Sequence, residues 1–90
     1  MKPEAVPAPT SCVALMPRIR AAVVAYDASY TMLVDHALPT ILASCLNDDW
    51  PLELRTCIAQ SNPDALAHEH ACEKLVPVEL EKKLRARLTP

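Results

Sequence analysis

Four cysteines, Cys12, Cys45, Cys57 and Cys72, and the run His68-Glu69-His70-Ala71-Cys72 hold the side chains of this sequence best suited to chemistry. Thiolates and imidazoles bind zinc, act as nucleophile and base, or (for thiols) join in disulfides. Each use demands its own spacing. Tetrahedral zinc sites draw on close pairs such as C-x₂₋₄-C, and the intervals between these cysteines are all much wider. On a helix His68 and Cys72 share a face at i, i+4, whereas His70 points elsewhere. No metal site is read. The chain has no glycine, so a phosphate-cradling loop, a dinucleotide fingerprint and a G-x-S-x-G elbow are all excluded. No acid pair stands out, since Asp48-Asp49 reads as a helix stop. Neither catalytic residues nor a cofactor are therefore expected, and the chain is not read as an enzyme. An even number of scattered cysteines in a short chain points to two disulfides and an oxidising compartment.

Composition sets further bounds. A chain of 90 residues fits one domain, and at that size a core alone supplies only a few kcal/mol of net stability. Cross-links then matter. The apolar half of the sequence is mainly Ala, Leu and Val, with Tyr26, Tyr30 and Trp50 as its aromatic residues. Such a core offers little stacking surface for bases or flat cofactors. A formal net charge of −2 argues against general nucleic-acid binding. No apolar run approaches the ~20 residues of a membrane helix, and the N-terminal residues lack the three-part pattern of a signal peptide. If the protein is exported, its mature domain is what the sequence shows.

The elements follow from periodicity. Residues 1–9 carry three prolines, Pro3, Pro7 and Pro9, and read as an extended leader of polyproline II character. Residues 10–90 read as a single helical domain. Thr10 or Ser11 can cap a first helix, whose inner face is Cys12, Leu15, Ile19, Val23 and Tyr26. Pro17 should either end a short turn or open the main helix. A second helix starts near Ser29 or Thr31 and turns Tyr30, Val34, Leu38, Ile41, Leu42 and Cys45 inward. Pro39 predicts a kink or break there. Trp50-Pro51 opens a third helix burying Leu54, Cys57 and Ile58. Asn62-Pro63-Asp64 starts a fourth, which carries Ala65, His68, Cys72 and Leu75 on one face. After Pro77 a last helix shows a Val76, Leu80, Leu84 and Leu88 stripe, with acids early and bases late. No strand-like alternation occurs. The expected fold is all-α, a small bundle of four to five helices stapled by two disulfides.

Four cysteines allow three pairings. A tight Asn-Asp-Asp-Trp-Pro corner predicts an antiparallel hairpin that joins Cys45 to Cys57, which leaves Cys12 to Cys72. Each bridge would contribute roughly 3–4 kcal/mol through loop closure. Trp50 should pack over the hairpin and shield the nearby disulfide. Lys82, Lys83, Arg85 and Arg87 read as a solvated face. Leu80, Leu84 and Leu88 lie beyond the last cysteine and form the candidate binding face.

Cys12, Cys45, Trp50 after two aspartates, Cys57 and Cys72-Glu73 together resemble the small four-cysteine helical domains of secreted proteins and lipoproteins in certain Gram-negative bacteria. The resemblance spans roughly residues 12–73 and leaves out the last helix. It implies export, two disulfides and no active site. The expected function is a non-enzymatic binding or scaffolding module, periplasmic or secreted, that meets an unidentified protein partner or self-associates. The alternatives are a small metal- or thiol-handling protein and a carrier of an apolar ligand.

Overall fold

The computed structural model describes residues 8–89. Most of the predicted leader, residues 1–7, lies outside this range; Ala8 and Pro9 are exposed. Five α-helices form the described part: α1 Cys12–Tyr26, α2 Thr31–Asn47, α3 Leu52–Gln60, α4 Pro63–His68 and α5 Val78–Leu88. Short 3₁₀ turns occupy Ala28–Tyr30 and Glu73–Leu75, and no strand occurs among the described residues.

Local chemistry explains where the helices begin. Ser11 Oγ accepts the Ala14 amide at 3.1 Å, and Asn62 Oδ1 accepts that of Ala65 at 2.7 Å, with Pro63 next in line. Both side chains satisfy donors that a helix start leaves free. Asp27 Oδ1 accepts the Ser29 amide at 2.9 Å and fixes the corner between α1 and α2.

Neither internal proline ends its helix. Helix α1 runs through Pro17 and α2 runs through Pro39. A proline deprives the carbonyl four residues earlier of its donor. Here Pro17 and Val13, and likewise Pro39 and Asp35, lie on exposed sides where water can replace the lost bond.

Helices α1 and α2 are antiparallel neighbours. Arg20 Nε donates to Asp35 Oδ1 at 2.6 Å near the corner, and a disulfide joins Cys12 to Cys45 at the far end. Arg18 donates to the carbonyls of Ile58 (2.9 Å) and Ser61 (2.7 Å), so it ties the end of α3 to α1. Helix α4 follows α1 in the same direction, with His68 Nε2 3.1 Å from the Ala25 carbonyl oxygen. The core gathers Leu15, Met16, Cys45, Trp50, Leu54, Ile58, Cys72 and Leu80.

The fourth helix is shorter than its sequence pattern predicts. It stops at His68, and His70 adopts a left-handed conformation at φ 52°. That conformation is costly for a residue with a Cβ and turns the chain out of helical register. Cys72 therefore sits in a loop, and Leu75 is exposed. Tyr26 and Tyr30, expected on inner faces, are also exposed and stack on one another with ring centroids 6.3 Å apart.

Candidate functional site

The four cysteines form two disulfides, Cys12–Cys45 and Cys57–Cys72. This corrects the expected partners: Cys45 does not meet Cys57, and Cys12 does not meet Cys72. The cause is topological. Cys12 and Cys45 are almost equidistant from the short corner joining α1 and α2, so antiparallel packing brings them together. Cys45 is spent on α1, and Cys57 in the last turn of α3 takes Cys72 from the loop that follows α4. The equal distances are visible in the sequence, and the hairpin that a disulfide closes is α1–α2 rather than α2–α3.

Trp50 is buried beside Cys45 in the core. Its indole Nε1 donates to Ser44 Oγ at 3.1 Å, and Ser44, 0% exposed, donates in turn to Asp48 Oδ2 at 3.0 Å. Arg87 from α5 completes the chain with a bidentate grip on Asp48, at 2.7 and 3.0 Å. The Arg87 hydrogen bonds hold the Asp48 carboxyl below its usual range, and Asp48 raises Arg87 in return. Arg20 acts on Asp35 in the same sense, chiefly by hydrogen bonding. Arg87 thus belongs to a structural network, whereas Lys82, Lys83 and Arg85 are exposed as expected.

The histidines do not converge. His68 leans on the Ala25 carbonyl, while His70 Nδ1 lies 3.1 Å from Glu73 at an exposed site. Cys72 is in a disulfide. Among the described residues no three His, Cys, Asp or Glu side chains cluster as metal ligands would.

The candidate binding stripe is split by the fold. Leu80 is 5% exposed and belongs to the core, Leu84 is half-buried, and Leu88 is 45% exposed. Leu80 cannot meet a partner.

A larger apolar surface lies on α2. Val34, Leu38, Ile41, Leu42 and Cys45 turn toward the bundle, yet Met32 (86% exposed), Leu33 and Leu46 turn outward. Met32, His36, Pro39, Ala43 and Leu46 recur at alternating steps of four and three, the spacing of a helix-pairing seam. Leu33 and Ala37 also border two shallow grooves, one shared with Tyr30 and Val23, the other with Leu88 of α5. The signal for this surface was the absence of any Lys or Arg between Arg20 and Arg55. Helix α2 carries one carboxylate, Asp35, and neither Lys nor Arg, so its outer face lacks the charge that a solvated helix face normally bears.

No described helix is long and apolar enough to cross a membrane. No protein-family model, curated protein or solved structure matches the chain.

Proposed function

We propose that this chain is a non-enzymatic protein-binding module of the periplasm or extracellular space, and that it pairs with a second copy through the outer face of α2. The exposed Met32, Leu33 and Leu46 on one helix carry the reading. Surfaces of that kind serve as contact sites. The 17 residues of α2 extend about 25 Å, and antiparallel pairing about Pro39 would set Met32 of one copy against Leu46 of the other. The seam itself holds no carboxylate, Lys or Arg, so two copies meet without like-charge repulsion. Without a basic residue it also cannot neutralise phosphate, which disfavours nucleic acids and anionic lipid surfaces as partners. Two disulfides support an oxidising location.

Sedimentation velocity from micromolar to near-millimolar protein tests the reading. Wild-type chain should pass from monomer to dimer. The double variant Met32→Glu/Leu33→Glu should stay monomeric with an unchanged melting temperature, because both side chains are exposed. A wild-type chain that remains monomeric throughout removes the α2 face as a self-pairing surface.

A further inference from the structure

We propose that Cys57–Cys72 is a reversible thiol-exchange site, opened by an external dithiol that attacks Cys57 Sγ while Ser61 stabilises the departing Cys72 sulfur. Three observations carry the assignment.

Access differs between the two sulfurs. Cys72 is 6% exposed. Cys57 is half-buried and borders an open groove of ≈480 Å³, lined also by Leu52, Glu53, Thr56, Gln60 and Ser61. An incoming thiolate therefore reaches Cys57, and Cys72 becomes the leaving group.

Polar groups stand ready for the products. Ser61 Oγ lies 3.8 Å from both sulfurs. A disulfide sulfur has no hydrogen, so the hydroxyl can act only as donor. That donation strengthens when a thiolate forms. The Ala71 carbonyl oxygen, 3.6 Å from Cys57 Sγ, accepts from the thiol once Cys57 is reduced.

The two bridges also differ in what else holds their ends together. Cys12 and Cys45 belong to long helices that the Arg20–Asp35 ion pair and the core also hold together, so on opening their thiols should remain adjacent and re-form the bond. Cys72 is the only buried residue between Glu69 and Glu79, Val76 is half-buried, and the stretch includes the left-handed His70. With its bond broken, little restrains this segment, and the effective concentration of the two thiols falls. Reduction would then uncover the side of Ile19, Val23, Leu54 and Ile58 that Cys72 and Val76 border.

The first thiolate of the dithiol bonds to Cys57 Sγ as the Sγ–Sγ bond breaks, and the electron pair leaves on Cys72, which takes a proton from water. The second thiolate of the dithiol then bonds to the sulfur attached to Cys57 as that mixed disulfide breaks, and the electron pair leaves on Cys57, which takes a proton from water. Two electrons pass to the protein, and the dithiol becomes a disulfide.

The test treats the intact oxidised chain with graded dithiothreitol, quenches with acid, alkylates free thiols with N-ethylmaleimide and maps the labelled peptides by mass. A species labelled at Cys57 and Cys72, with Cys12–Cys45 intact, should form at least about tenfold faster than any species open at Cys12–Cys45. Ser61→Ala should slow that step about fivefold, the worth of one hydrogen bond, without altering the opening of Cys12–Cys45. Reduced glutathione should be trapped on Cys57. Prior opening of Cys12–Cys45, or loss of both bridges in one step, would falsify the proposal. A glutathione adduct on Cys72 overturns the direction of attack, and an unchanged rate for Ser61→Ala removes the role of its hydroxyl.

Discussion

Arg87 grips Asp48 through both carboxylate oxygens, across 39 positions of sequence, and so fastens the last turn of α5 to the end of α2. The folded chain lowers the Asp48 pKa, chiefly through the Arg87 hydrogen bond. Its contribution to stability is therefore complete above the unfolded carboxyl value of about 3.9 and disappears as pH falls through the lower folded value. Melting curves of wild type and Arg87→Ala should differ by a constant amount from neutral pH down to about that value, then converge in stronger acid. A gap that persists unchanged in strong acid contradicts this account.

Ser44 should be harder to replace than its size implies. Ser44→Ala removes the acceptor of the buried Trp50 indole and one donor to Asp48. An unsatisfied buried donor costs about 1–3 kcal/mol. Urea unfolding is the measurement, and a loss below about 0.5 kcal/mol, the range of neutral surface changes, would mean that water replaces the hydroxyl.

Along α5, Leu80→Ala should cost about 2–5 kcal/mol as a core truncation, while Leu88→Ala should stay within about 0.5 kcal/mol. Equal losses at the two positions would show that α5 is packed differently along its length than its exposure pattern implies.

The two bridges close loops of sequence separation 33 and 15. Loop-closure entropy gives about 4 kcal/mol for the first and about 3 kcal/mol for the second. Cys12→Ala/Cys45→Ala should therefore lower stability more than Cys57→Ala/Cys72→Ala under equilibrium denaturation. The reverse order would mean that native contacts around the bridges outweigh the restraint they place on the unfolded chain.

Short-range chemistry in the sequence predicts this fold best. Caps at Ser11 and Asn62 and the corner at Asn47-Asp48-Asp49 depend on neighbours along the chain, and each stands where it is expected. Pro17 and Pro39 break neither helix, because that effect depends on whether the freed carbonyl faces water, which is a property of the assembled bundle. His70 carries no sequence mark of its left-handed backbone, so periodicity alone extends α4 through Cys72. The disulfide partners depend on which helices are neighbours, and neither corner by itself reveals that in the sequence. Leu80, Leu84 and Leu88 form one stripe in sequence, but burial against the bundle separates them. The outer face of α2 is legible in the sequence through its lack of Lys and Arg, since a solvated helix face normally carries charge.

The bridges join the first cysteine to the second and the third to the fourth. Chains emerge from synthesis N-terminus first and fold in that order. An oxidase that links each newly emerged cysteine to the preceding unpaired one would produce the native pattern without error. In that order Cys12–Cys45 would close before Cys57 could compete for either sulfur, and Cys57 would then wait for Cys72 alone. Refolding of the fully reduced, full-length chain has no such protection, because all four thiols compete at once. Maturation during emergence should thus proceed without a disulfide isomerase, and dependence on one should arise only when the complete chain is released reduced.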